Sequence, residues 1–265
     1  MSVVMRHGFS LVELSIVLVI LGLISGGILT GQNLIRAAEL RSVTRDVEKY
    51  QTAILTFRDK YFALPGDMTN ATDFWGAQAT CPRQLLNPAT CNGDGDGVIG
   101  TVLQTDPERC ESFHLWKQLS LAGLIEAVPQ VNFTNVNCAA SINDEYTPRS
   151  KISQAVFHIV NVPVIPDSSV LHGDIFYNGQ YGNVLMLGES GYNHLPVDNV
   201  IKPEEAWNID KKVDDGRPAF GKVRSTRQGG NASGTDCATD PVEANAEYAL
   251  SDADNECSLI FKLGF

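Results

Sequence analysis

The chain has 265 residues, of which 43% are hydrophobic and 19% charged, values ordinary for a folded protein. That length buries a good core, so one main globular domain with an appendage is expected. The formal net charge of −11 is uneven: residues 1–60 carry seven Lys/Arg against five Asp/Glu, residues 61–265 thirteen against twenty-six. A globular part with a net charge of −13 repels phosphate backbones, and no basic run offsets it, so no direct nucleic-acid binding is expected.

The first long element is apolar. Phe9 to Leu29 contains one charge and no proline. As a helix rising ~1.5 Å per residue it spans about 30 Å, the thickness of a bilayer core. Arg6 and His7 precede it and no basic residue lies inside it, so the positive-inside rule leaves Met1 in the cytoplasm and exports the chain beyond Leu29. Glu13 breaks the apolar run. A carboxylate there costs about 2.5–3.5 kcal/mol on insertion scales, and no small-x-small cleavage site comes soon after it. It either snorkels to the membrane edge or meets a positive partner.

Met5-Arg6-His7-Gly8-Phe9-Ser10-Leu11-Val12-Glu13 resembles the type IV prepilin processing motif: a short basic leader, a Gly–Phe junction, and Glu four residues later. The resemblance covers residues 1 to about 60. It implies that a prepilin peptidase cuts between Gly8 and Phe9 and methylates the new Phe9 amine, making residues 1–8 a leader. It also implies that residues 9–30 are a transmembrane and filament-core helix, in which Glu13 neutralises the Phe9 amine of a neighbouring subunit. The implied partners are other pilin-like subunits and an inner-membrane assembly platform. Residues 31–265 would form a periplasmic or extracellular globular domain that includes the helix to about Tyr61.

Beyond the membrane segment Leu40, Val43, Val47, Tyr50, Ile54, Phe57 and Tyr61 recur at spacings of three and four, an apolar stripe that packs on the globular domain. Gly22, Gly26 and Gly27 are weak points, each costing about 1 kcal/mol against Ala, and Pro65-Gly66 ends the helix. Residues 62–92 then read as a loop that Phe74 and Trp75 anchor to the core. Within it Leu64-Pro65-Gly66-Asp67 is similar to a phrase found after the long helix in pilin-related proteins.

Asn92-Gly93-Asp94-Gly95-Asp96-Gly97-Val98-Ile99 has oxygen-bearing side chains at alternate positions and glycine at the sixth, like the start of an EF-hand loop. Asn92, Asp94, Asp96 and the Val98 position are candidate calcium ligands. Leu103 stands where the bidentate Glu belongs, so Asp106, Glu108 or Glu111 must supply a later carboxylate. A glycine–aspartate turn without an ion is the alternative.

Residues 111–125 read as a second helix with Trp116, Leu119 and Leu124 in the core and His114 at the surface or as a cap. Strand-length runs come next at 155–160, 171–177, 183–187, 221–227 and 257–263, with hairpin signals at Asn178-Gly179 and Gly182-Asn183. Pro203 to Lys212 reads as a short helix with proline in its first turn. The phrase from Ile209 to Pro218 is similar to a segment in pilin-like proteins of type II secretion and related systems. Gln228 to Thr235 reads as a flexible loop.

Cys81, Cys91, Cys110, Cys138, Cys237 and Cys257 contain no C-x2-C pair, so disulfides in an oxidising compartment are expected rather than zinc. Sequence proximity suggests Cys81 with Cys91, Cys110 with Cys138, and Cys237 with Cys257. The expected fold class is α+β and pilin-like: a long N-terminal helix packed on an antiparallel sheet, with a loop-rich, disulfide-stapled head.

No enzyme is expected. Gly188-Glu189-Ser190-Gly191 fails the nucleophile-elbow pattern because Tyr192 replaces the last glycine, and His158, His172 and His194 need no catalytic role. The leading reading is a structural subunit, a pseudopilin or minor pilin, of a type IV pilus or type II secretion filament. Two rivals are a minor-pilin adhesin displaying aromatics near Tyr177, Tyr181 and Tyr192, and a membrane-anchored periplasmic enzyme.

Overall fold

The computed structural model describes residues 10–77, 90–100, 110–126, 147–162, 164–165, 176–189, 195–227, 237–240 and 242–265. The chain divides into two compact units, Met1–Arg41 and Ser42–Phe265.

Helix α1 runs without a break over Leu11–Tyr61. The glycines at 22, 26 and 27 neither kink nor end it, and a methyl group on any of them would meet nothing within 4 Å. In the first unit its side chains from Leu11 to Leu29 are largely solvent-exposed. In the second unit Val43, Val47, Tyr50, Ile54 and Phe57 are buried as the stripe requires, and Tyr50 stands edge-on to Trp116 at 5.0 Å and to Phe157 at 5.3 Å. The helix stops at Tyr61, four residues before Pro65, because Phe62 takes a left-handed conformation (φ 55°).

The second unit is built on an antiparallel sheet of β1 (Val156–Val162), β2 (Gly182–Gly188), β3 (Val223–Ser225) and β4 (Leu259–Lys262) in the order β1-β2-β4-β3. Four of the five predicted runs supply these strands, the last two trimmed at their ends. Both sheet faces are covered, so the strands are buried almost continuously. Tyr50 meets the face bearing Phe157, and loop residues Phe176, Tyr181, Leu195 and Val197 cover the face bearing Val160, Val184, Met186 and Ile260.

The hairpin readings need correction. Gly182 and Asn183 open β2 rather than turn, and Asn178-Gly179 lies at a bridge between Ile165 and Gly179. Residues 171–175 of the remaining predicted strand lie outside the described residues; Phe176 and Tyr177 are not in a strand.

Among the described residues three shorter helices complete the order: α2 (Ala71–Trp75), α3 (Cys110–Leu121) and α4 (Pro203–Val213). Helix α2 falls in what the sequence presents as loop. Helix α3 is shorter than predicted because Gly123 at φ 73° turns the chain, leaving Leu124 half-buried beyond its end. Trp116 and Leu119 are core residues as expected. His114 is not at the surface: it is 2% exposed, because α3 is covered on every side over residues 111–119.

Cys237 and Cys257 are disulfide-bonded with Cα atoms 5.0 Å apart, and Cys257 sits just before β4. Cys91 is also disulfide-bonded. Cys81, Cys138 and the Cys110 side chain lie outside the described residues, as does the predicted flexible segment up to residue 235.

Candidate functional site

At the start of α1 the local sequence closes its own helix end. The four leading N–H groups of any helix lack intrahelical partners. Here Ser10 Oγ accepts the Val12 N–H at 3.3 Å and Glu13 Oε2 accepts the Ser10 N–H at 2.8 Å. This is a reciprocal cap of the S-x-x-E type, a signal present in Ser10-Leu11-Val12-Glu13 that the charge argument alone overlooks. Glu13 therefore has a backbone partner within its own chain, and its negative charge sits favourably at the positive end of the helix dipole. Gly8 and Phe9 lie outside the described residues.

Beyond the cap the helix offers apolar surface with little polar demand. Leu11 is 84% exposed and Leu29 64%, while Ser15 and Thr30 return their hydroxyls to the Val12 and Gly26 carbonyls. Among the described residues α1 is the one helix long and apolar enough to cross a membrane. Such a surface needs a lipid or protein cover.

A family model, the prokaryotic N-terminal methylation motif, matches residues 4–29. The chain carries the prepilin signal of type IV pilin-like proteins. No curated protein and no solved structure matches it. The matched segment includes Gly8, Phe9 and Glu13, and the acidic unit Ser42–Phe265 lies wholly beyond it.

In that acidic unit the glycine–aspartate loop is wrapped around two carboxylates. Asp67, from the Leu-Pro-Gly-Asp phrase, accepts the N–H groups of Gly95 (2.6 Å) and Gly97 (3.0 Å). Glu111, in the first turn of α3, accepts those of Asp94 and Gly100, both at 3.1 Å. Gly66 donates to Gln118 Oε1 at 2.7 Å, and Gly93 donates to the Met68 carbonyl at 2.9 Å. Both glycines are needed: a Cβ on Gly66 would collide with the Glu111 carbonyl, and one on Gly93 with the Asp67 backbone. Leu64 to Asp67 is thus sandwiched between α3 and the loop, which explains why the polar side of α3 is buried.

The candidate calcium ligands separate here. Asp94 and Glu111 come together, joined by Asp67, with carboxylate oxygens within 4.8 Å of one another. Sequence reading missed Asp67, which lies outside the loop's own spacing. Asn92 Oδ1 instead accepts the Thr72 N–H at 2.9 Å in α2. Asp94 and Asp96 accept the N–H two residues ahead, from Asp96 and Val98. Asp106 and Glu108 lie outside the described residues. Burial raises the pKa of Asp67, partly opposed by its two amide donors and reinforced by Asp96 and Asp94. Burial pushes Glu111 up to about 7 despite its hydrogen bonds from Gly100 and Asp94, with the Asp94 and Asp67 charges adding to the rise. The donor set is all oxygen, the chemistry that hard cations such as calcium take.

A second acidic group lies in the phrase from Ile209 to Pro218. Asp210 is fully buried and accepts from Tyr248 Oη at 3.0 Å and the Gly216 N–H at 3.2 Å. Burial pushes its pKa up to about 7, against these hydrogen bonds and with the Asp215 and Asp214 charges. Asp214 accepts the Lys222 N–H, and Asp215 accepts that of Arg217 at 2.8 Å. Gly221, at φ 75°, leaves the space that Asp214 occupies. The phrase is a C-terminal cap for α4 that aims the chain into β3.

His158 is 2% exposed beside Phe113, and burial pushes it down to about 3, so it stays neutral. Ser190, Tyr192, His172 and His194 lie outside the described residues. Tyr177 and Tyr181 are 1% and 4% exposed. They are core residues, because a sheet covered on both faces draws loop aromatics inward, so they offer no adhesive surface.

Proposed function

We propose that this pilin-like protein is a structural subunit, a pseudopilin or minor pilin, cut after Gly8, methylated on Phe9 and assembled into a type IV pilus or type II secretion filament. The observation that carries the reading is the exposed apolar run of α1 joined to a carboxylate in its first turn, inside the matched prepilin signal. The N-terminus faces the cytoplasm before assembly, and the acidic unit is periplasmic or extracellular. Neighbouring subunits cover the apolar run, and Glu13 meets a neighbour's Phe9 amine, since a buried charge without a partner costs several kcal/mol. Mass spectrometry of protein from sheared filaments tests this: the chain begins at methylated Phe9. An N-terminus that retains Met1 to Gly8 there would overturn the processing step.

For the carboxylate-held loop we propose calcium as an occupant, on donor chemistry alone, held by Asp67, Asp94 and Glu111. Cation binding to the folded state raises stability by mass action, so millimolar calcium raises the melting temperature over that in excess chelator. Equal melting temperatures would remove calcium from the account.

A further inference from the structure

The end of α1 holds two anomalies in one residue. Phe62 is 92% exposed and is held at φ 55°, with its N–H still bonded to the Arg58 carbonyl at 2.8 Å. Helices commonly end on a left-handed residue, but glycine or asparagine takes that place because a Cβ is penalised there. A bulky aromatic bears the conformational penalty and, in the isolated chain, recovers no burial. A bulky side chain that is both strained and exposed gains nothing from its own fold, which makes Phe62 a candidate for a contact outside it.

It does not stand alone. Preceding it, Tyr61 packs against Phe74 and Trp75, each at 5.3 Å, and Phe74 is 55% exposed. Phe62 and Phe74 are the exposed aromatics among the described residues. The Lys60 ammonium lies 5.0 Å above the Tyr61 ring.

We propose that Phe62 and Phe74 form a docking surface for a second copy of this chain in the filament. Charge selects the occupant. Residues 61–265 carry a net −13, so two copies repel over most of their surfaces. Beside these aromatics in the sequence Arg58 and Lys60 balance Asp59 and Asp73, with the Arg58 guanidinium 5.8 Å from the Phe265 ring centre, so this stretch adds no net negative charge where two acidic copies would approach. It also terminates the helix whose other end carries the proposed assembly segment. Exposed aromatics are the residue type that anchors protein interfaces.

The inference rests on the filament reading, and one preparation tests the two separately. In cells making the full-length chain, a benzoylphenylalanine photocrosslinker replaces Phe62, and filaments are sheared after irradiation. The expected product is an adduct of twice the chain's mass. Phe62→Gly lowers filament yield at least about tenfold, as loss of an interface anchor does, while the melting temperature of the detergent-solubilised chain stays level or rises because strain is relieved. Methylated Phe9 in filaments that carry no chain-to-chain adduct overturns the docking surface alone, as does an adduct only with lipid or with a different protein. Normal filament yield from Phe62→Gly overturns it equally. Absence of the chain from filaments overturns both readings.

Discussion

Glu13 and Glu111 each stand in the first turn of a helix, yet they find their partners in different ways. Glu111 is 7% exposed, and its oxygens receive two amides from a loop of its own chain. Glu13 is exposed, with one amide from Ser10 and apolar surface on every side. The first carboxylate is buried by folding; the second is buried only when something else covers α1. The same residue type in the first turn of a helix is thus enclosed by its own fold in one unit and left exposed in the other.

The largest test of this contrast is Glu13→Gln. Glutamine keeps the acceptor for the Ser10 amide and removes the charge, so a capping role alone would leave assembly intact. If the charge meets a neighbour's amine, the variant is still processed at Gly8, but its amount in sheared filaments falls to near background. Gly8→Ala should block processing altogether, seen as retention of the leader by mass spectrometry.

Glu111→Ala should act on the fold. It strands the buried Gly100 amide and releases that of exposed Asp94, and costs about 1–3 kcal/mol, measured by denaturant unfolding of the full chain in detergent. Processing at Gly8 should be unaffected. A loss below about 0.5 kcal/mol would show that the loop is not held by this carboxylate.

A smaller effect should appear in the pH dependence. Asp210 is pushed from 3.8 up to about 7 and Glu111 from 4.5 up to about 7, so the folded state binds their protons more tightly than the unfolded state does. Their contribution to stability is fully present below the ordinary carboxylate range and lost as pH rises through about 7. The melting temperature should therefore fall between about pH 4 and pH 7, and Asp210→Asn should flatten part of that slope while keeping an acceptor for Tyr248. A slope unchanged in Asp210→Asn would assign the titration elsewhere.

Smallest of all is Ser10→Ala. The cap it removes is worth about 1 kcal/mol, and the long helix is otherwise intact, so filament yield should stay within about twofold. A collapse comparable to that of Glu13→Gln would make the reciprocal cap, rather than the charge, the working element.

Local patterns were legible where the physics is local. The apolar run from Phe9 to Leu29, the stripe from Val43 to Phe57, the start of α4 at Pro203 and four strands all follow from spacing and composition. The Ser10–Glu13 cap was legible too, as a four-residue signal beside a more conspicuous charge anomaly. Asp67 was not, because it meets the loop amides from 28 and 30 residues away, and no periodicity in the loop points to it. His114 was misplaced for a related reason: its burial depends on what covers α3, just as the loops over the sheet decide that Tyr177 and Tyr181, the aromatics on which the adhesin alternative turned, lie in the core.

By itself, then, the sequence determined the membrane-length helix, its prepilin signal and the amphipathic continuation, because side-chain spacing along one helix fixes what each face offers. Tertiary structure decided what those faces receive. Gly66 and Gly93 permit backbone approaches that no other residue allows, and through them Asp67 and Glu111 acquire their amides. It also left Phe62 strained and in solvent, which no pattern along the chain could show, since exposure is a property of everything that fails to cover a residue.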